Sequence, residues 1–85
     1  MTASIQWLGT IAGLITVGSF LPQVVRAWRT KRTGDLSLGT FALLVCAGTM
    51  WMVYGAVLRD WPVVVTNAGM VAMNAALAVA KVRYS

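Results

Sequence analysis

Residues 38–80 read LGTFALLVCAGTMWMVYGAVLRDWPVVVTNAGMVAMNAALAVA, and this stretch decides how the chain folds. It holds only two charged residues, which adjoin each other at Arg59 and Asp60 near its middle. Each apolar half is about 20 residues long, which at about 1.5 Å per residue crosses a hydrocarbon layer of about 30 Å. Pro62 lies two residues after Asp60, where the first turn of a helix tolerates proline. The stretch therefore predicts two membrane-spanning helices joined by a tight turn, over residues 38–58 and 61–80.

A third apolar segment precedes this hairpin over residues 5–27, and its one charged residue is Arg26 near the end. Of the 85 residues in the chain, 59% are hydrophobic and 11% are charged, and the mean hydropathy is +0.76. A water-soluble domain of this length could not bury so much apolar surface. In lipid, backbone N–H and C=O groups need internal partners, so the segments must be helical. The sequence predicts an all-α membrane protein, with residues 1–85 forming one domain of three transmembrane helices.

The basic residues are concentrated at one side of the predicted bundle. Six of the seven flank the first linker or follow the third helix: Arg26, Arg29, Lys31, Arg32, Lys81 and Arg83. The positive-inside rule places both regions in the cytoplasm, and it places the N-terminus and the Arg59 turn outside. A formal net charge of +5 would also suit nucleic acid, but a mostly apolar surface facing membrane lipid argues against that partner. Trp7, Trp28 and Trp61 lie at helix ends, where we expect them to serve only as interfacial anchors.

The chain lacks the side chains that enzymes and metal sites need. It has no His, and its only carboxylate side chains, Asp35 and Asp60, lie outside the apolar segments. No nucleophile and base can be paired from this set, so we predict that the chain is not an enzyme and has no metal or cofactor. The one cysteine, Cys46, lies in an apolar segment, where packing of a small side chain explains it.

Trp51 and Asn67 are predicted to lie at the same depth in the membrane. Each lies six or seven residues from the outer turn, so each is about 10 Å below the outer face. An indole beside an amide offers a flat apolar surface and hydrogen-bonding groups, which suit the C–H face and the hydroxyls of a sugar. Gly48 and Gly55 flank Trp51 on its helix and could leave a recess beside the ring.

The same residues also have a purely structural interpretation, which their spacing does not exclude. Asn67 would then bond a neighbouring helix, and Trp51 would fill the core of the bundle. Asn74 lies one heptad after Asn67 and deeper in the membrane. For Asn74 the hydrogen bond to another helix is the preferred interpretation.

Pro22 is the feature of the first helix that points to movement. Proline removes one backbone donor and frees the carbonyl four residues earlier, here that of Gly18, so the helix can kink or flex. Gln23 places an amide beside it, where it could satisfy freed backbone groups or line a pathway. A static bend is the alternative, since proline kinks are common in membrane helices.

Tyr54 and the charges of the outer turn form a candidate gate. Tyr54 follows Trp51 by three residues and lies one turn further out, while Arg59 and Asp60 lie at the mouth. An exposed ion pair is weak and therefore easily broken, as a gate requires. The alternative is a solvated turn in which Asp60 caps the third helix.

Several short motifs occur in order along the chain. They are FLPQV at residues 20–24 with basic residues after it, DLS at 35–37, and WMVYG at 51–55 with Asn67 in the next helix. Together they resemble the PQ-loop family, most closely its bacterial SemiSWEET branch, over almost the whole chain. The resemblance implies a three-helix bundle that pairs in parallel with a second copy, giving a sugar uniporter with a central translocation path.

The resemblance also assigns roles to individual residues. The matching residues are Trp51 and Asn67 for the sugar-binding pair, Pro22 and Gln23 for the hinge, and Tyr54, Arg59 and Asp60 for the outer gate. The bacterial inner membrane is the location that this branch implies.

The mechanism expected from these features is passive and needs two copies of the chain. Three helices enclose no cavity wide enough for a sugar, whereas two facing bundles can, so we expect an obligate homodimer related by a twofold axis. Coupling to protons usually needs an ionisable group within the membrane, and the charged residues all lie at helix ends, so transport should run downhill. Two alternatives stay open: a PQ-loop carrier of amino acids or another small metabolite, and a structural membrane subunit that transports nothing.

Overall fold

The computed structural model describes residues 2–84, which form three α-helices. α1 spans Thr2–Thr30, α2 spans Leu38–Val57 and α3 spans Trp61–Tyr84. All three are long and apolar enough to cross a membrane. The prediction of an all-α chain with three membrane-spanning helices is confirmed, and α1 and α3 extend a few residues beyond the predicted ends. Met1 and Ser85, the ends of the predicted domain, lie outside the described residues.

α3 is the central helix of the three. It packs against α1 on one side and against α2 on the other, and within residues 2–84 the backbones of α1 and α2 do not approach each other closely. The helices therefore form a single layer, whose Cα atoms extend over 47 × 21 × 13 Å. A layer one helix thick leaves two broad faces uncovered, so most of the large apolar side chains of one copy are exposed.

Glycines allow α1 and α3 to approach each other closely. A Cβ on Gly13 would overlap the hydroxyl of Thr66 on α3. On α3, a Cβ on Gly69 would lie 2.8 Å from a methyl carbon of Val17. Because neither glycine has a side chain, the two helix backbones can pack directly against each other.

Gly48 and Gly55 have the same function between α2 and α3. A Cβ on Gly48 would lie 2.7 Å from a methyl carbon of Val71, and one on Gly55 would lie 2.9 Å from a methyl carbon of Val63. The predicted recess at these glycines beside Trp51 is therefore wrong, because valines of α3 fill the space that they leave.

The buried core lies at the end of the layer where α1 finishes. It consists of Ala27, Leu77 and Ala80. Trp28 lies beside this core, where its Nε1 donates to the carbonyl oxygen of Ala76 at 3.1 Å. Its ring packs edge-on against that of Tyr84, with the centroids 5.6 Å apart. Trp28 thus joins α1 to α3, and the prediction that it is only an interfacial anchor is wrong.

The loop between α1 and α2 is tied to the end of α3. The backbone leaves α1 at Lys31, which has a left-handed φ of 59°. Ser37 begins α2 as its N-cap, and its hydroxyl oxygen accepts from the backbone N–H of Thr40 at 3.2 Å. Between them, the carbonyl oxygen of Thr33 accepts from Nζ of Lys81 at 2.9 Å. The loop is therefore held by a charge-assisted hydrogen bond from α3.

Candidate substrate-binding site

Trp51 lies on α2 beside the face that packs on α3. Gly48 marks that face, and at about 100° per residue Trp51 projects about 60° away from it. The indole is 54% exposed and packs edge-on against the Tyr54 ring, with the centroids 5.5 Å apart. An open depression of about 440 Å³ is lined by Ala47, Met50, Trp51 and Tyr54. Trp51 therefore does not fill the core of its own bundle.

Asn67 meets α2 close to Trp51. Its Nδ2 donates to the carbonyl oxygen of Val63 in its own helix at 2.8 Å, so this donor makes no bond to a neighbouring helix. A Cβ on Gly48 would lie 3.9 Å from Asn67 Oδ1, which places the amide oxygen against α2 three residues before Trp51. Within residues 2–84 no donor bonds that oxygen. The structure thus brings the two predicted binding residues onto adjacent turns of adjacent helices, with an acceptor still free.

Asn74 is buried further along α3, with 1% of its surface exposed. Its Nδ2 donates to the carbonyl oxygen of Met70 at 2.8 Å, and its buried Oδ1 has no partner in the described part of the chain. The hydrogen bond to another helix that the sequence favoured is not formed within residues 2–84, where Nδ2 bonds its own helix. An unpaired buried acceptor costs about 1–3 kcal/mol.

Pro22 and Gln23 lie on the exposed part of α1. The helix continues through Pro22 without a break. Pro22 follows the α3-facing Gly13 by nine residues, so at about 100° per residue it projects away from α3. Gln23 is exposed one position further on. Neither residue lines the depression beside Trp51. The hinge role stays a prediction.

The outer turn holds Arg59 in an unusual conformation. Its φ is 56°, which is the left-handed region. Its N–H donates to the carbonyl oxygen of Ala56 at 3.2 Å, and the N–H of Asp60 donates to that of Gly55 at 2.8 Å. These two bonds form a Schellman motif at the end of α2. Asp60 Oδ1 accepts from the N–H of Val63 at 3.4 Å, so Asp60 caps α3 as the alternative interpretation proposed.

Sequence reasoning missed a residue at the outer mouth, Gln6. An open groove of about 540 Å³ brings Gln6 of α1 beside Arg59 and Asp60. Tyr54 does not line this groove, since it lies deeper and lines the depression with Trp51. A single amide in the first turns of α1 was the only signal for Gln6, and nothing in the sequence shows that α1 packs against this turn.

Two substitutions of Arg59 separate the effect of its left-handed backbone on stability from the effect of its guanidinium group. We expect Arg59→Gly to raise the free energy of unfolding by about 1 kcal/mol, because a Cβ in this conformation costs energy that glycine avoids. Arg59→Ala also removes the guanidinium but keeps the Cβ, so its stability should equal that of wild type. Circular dichroism during denaturation in detergent measures both, and equal stability of the two variants would contradict the strained turn.

The three apolar helices define a multi-pass helical membrane protein. It has an open aromatic depression on α2. Residues 4–64 match the PQ loop repeat family. The chain is 30% identical over 80 residues to the sugar transporter SemiSWEET of Bradyrhizobium diazoefficiens, covering 94% of this chain and 93% of that protein. It is 37% identical over 60 residues to the sugar transporter SemiSWEET of Leptospira biflexa, covering 71% of each.

A solved structure shows the same fold. It is the crystal structure of a bacterial homologue of SWEET transporters, which matches with a TM-score of 0.88 and 30% identity over 94% of this chain and 96% of that one. The chain belongs to the PQ-loop family, with SemiSWEET proteins among its relatives. The resemblance inferred from the motifs is confirmed. The prediction that the chain is not an enzyme is confirmed too, since these named relatives are transporters.

Proposed function

We propose that the chain is a passive sugar carrier that works as a parallel homodimer by alternating access. The observation that carries the proposal is the exposed pair of rings of Trp51 and Tyr54 in an open depression on α2. Asn67 Oδ1 meets the same helix at Gly48, one turn from Trp51. An aromatic face suits the C–H surface of a sugar ring, and an amide oxygen accepts from a hydroxyl. The names of the Bradyrhizobium and Leptospira relatives support sugar as the substrate class.

The thinness of the layer supports the homodimer. The Cα atoms extend only 13 Å in the shortest direction, and the depression beside Trp51 is open on one side. A single copy can therefore touch a sugar but cannot enclose it. Two copies facing each other across a twofold axis would place two indoles and two Asn67 amides around one space.

The remaining predicted residues have roles in the proposed cycle. Pro22 leaves the carbonyl oxygen of Gly18 without its helical donor, so α1 can bend there, and Gln23 offers an amide to the freed backbone. Tyr54 closes the path just outside Trp51. Arg59 and Asp60 close the outer mouth across the two protomers, which requires the N-terminus outside and the C-terminus in the cytoplasm of a bacterial plasma membrane.

Uptake by proteoliposomes tests the carrier and its passive character together. Labelled monosaccharides and disaccharides should enter until the inside and outside concentrations are equal, and a pH difference should not change that ratio, because all charged residues lie near helix ends. Accumulation driven by the pH difference would contradict passive transport. Uptake of amino acids without sugars would favour the metabolite carrier, and no uptake above protein-free liposomes would favour a structural subunit.

Pro22→Ala tests the hinge. Alanine restores the N–H that can bond the Gly18 carbonyl oxygen, so α1 becomes straighter and stiffer. We expect the uptake rate to fall about tenfold, equivalent to about 1.4 kcal/mol on the conformational barrier, while the dimer persists in cross-linking. Ser19→Ala is a matched control on the exposed side of α1, since its hydroxyl only donates to the Thr16 carbonyl oxygen at 2.6 Å. Wild-type uptake by Pro22→Ala would reject the hinge.

A further inference from the structure

A second open groove lies on α1, on the side turned away from α3. Its volume is about 690 Å³, and its lining includes Gly18, Leu21, Pro22, Val25, Arg26 and Arg29. Gly13 marks the α3-facing side of α1, and Pro22 follows it by nine residues, which is half a rotation at about 100° per residue. The groove is therefore turned away from α3, and it lies on a different helix from the depression beside Trp51.

The groove changes in character along its length. Its deeper part is apolar, with Leu21 and Val25 exposed, and a Cβ on Gly18 would meet no atom within 4 Å. Its shallow part, at the end of α1, holds Arg26 and Arg29. These two side chains are exposed and are three residues apart, so they lie about one turn from each other. The chain thus has an open apolar channel with two guanidinium groups at its membrane-surface end.

Charge at this end of the layer is strongly unbalanced. Six of the seven basic residues are here, and Asp35 is the one carboxylate side chain on the same side. Guanidinium groups bind phosphate oxygens in bidentate geometry and need less desolvation than ammonium groups. An anion with an apolar tail would complement both parts of the groove, whereas a free anion would use only the arginines.

We propose that this groove binds an anionic phospholipid, with its phosphate on Arg26 and Arg29 and an acyl chain along Leu21, Pro22 and Val25. The bound lipid lies against α1 at Pro22. Basic residues on the cytoplasmic side also serve topology, and that role alone would make all six of them equivalent for lipid binding. The proposal instead assigns the binding to two of them.

Two pairs of variants with the same net charge distinguish a specific lipid site from a general effect of all six basic residues. In Arg26→Gln/Arg29→Gln the groove loses both guanidinium groups, and in Arg32→Gln/Arg83→Gln two exposed arginines outside it are lost. Purified protein in neutral detergent is titrated with dioleoylphosphatidylglycerol, and bound lipid is counted by native mass spectrometry. We expect affinity to fall about 10- to 30-fold for the groove pair, at about 1 kcal/mol per basic residue, and to stay near wild type for the control pair.

Three further measurements test whether the site needs an anionic lipid or any phosphate, and whether the variants are still folded. Dioleoylphosphatidylcholine should bind weakly, and inorganic phosphate should not displace the anionic lipid. Arg26→Lys/Arg29→Lys keeps the charge and should retain intermediate affinity, which shows that the site tolerates substitution. Equal losses in the two glutamine pairs would overturn the proposal in favour of diffuse electrostatics, and displacement by phosphate alone would overturn it in favour of a simple anion site.

Discussion

Trp51→Ala is expected to lower sugar uptake by proteoliposomes at least tenfold while the chain stays folded. The indole is 54% exposed, and its described ring partner Tyr54 is 56% exposed, so few buried contacts are lost. In the proposed dimer, one substitution removes both rings from the shared space. At about 1 kcal/mol for each aromatic contact the loss is about 2 kcal/mol, or roughly thirtyfold. Initial rates of labelled sugar uptake measure it.

The control for this prediction is another exposed tryptophan. Trp7 is 66% exposed and lies near the start of α1, whereas the buried core lies where α1 ends. It does not line the depression, so Trp7→Ala should keep most of the uptake. Trp51→Phe keeps an aromatic face and should fall between Trp51→Ala and wild type. If Trp51→Ala transports like wild type, or if Trp7→Ala loses as much, the ring at position 51 does not bind sugar.

The sequence was sufficient to predict the helices because a membrane leaves few alternatives. Apolar length and the charges at the segment ends predicted three helices, and all three are observed. The order of the helices across the layer was not predictable. Gly13 on α1, Gly48 and Gly55 on α2 and Gly69 on α3 all mark close approaches, but a glycine does not indicate which neighbour it will meet. Only the structure shows that each of these glycines lies where another helix packs against α3.

The hydrogen bonds of the candidate site were not predictable from the sequence. Counting residues from the outer turn predicted one depth for Trp51 and Asn67, and the structure places Asn67 Oδ1 beside Gly48, one turn from Trp51. The donors of Asn67 and Asn74 could not be assigned, because an amide on a membrane helix can bond either a neighbour or the carbonyl four residues earlier. Both use the second option. Trp28 was misjudged for a related reason, since its acceptor at Ala76 belongs to a helix 48 residues away in sequence.

The second large effect is expected from Gly13→Leu, which should lower the free energy of unfolding by about 3 kcal/mol. A Cβ at this position overlaps the Thr66 hydroxyl and lies 2.9 Å from Thr66 Cβ, so rotating the threonine side chain cannot relieve the clash. The helix axes must separate instead. Within the described residues α3 is the only helix whose backbone closely approaches α1, so the separation weakens the main packing contact of α1 in its own protomer. Denaturation in mixed detergent micelles, followed by circular dichroism, measures the change.

Gly18→Leu provides the comparison that isolates packing from helix propensity. Both glycines lie within α1, and leucine forms helices better than glycine at either position. A Cβ on Gly18 meets no atom within 4 Å, so the same substitution there should leave stability within about 0.5 kcal/mol of wild type or raise it slightly. Equal stability of the two variants would mean that α1 and α3 are not in close contact at Gly13. Since α3 also carries Asn67, the proposed sugar site would then lack packing support from α1.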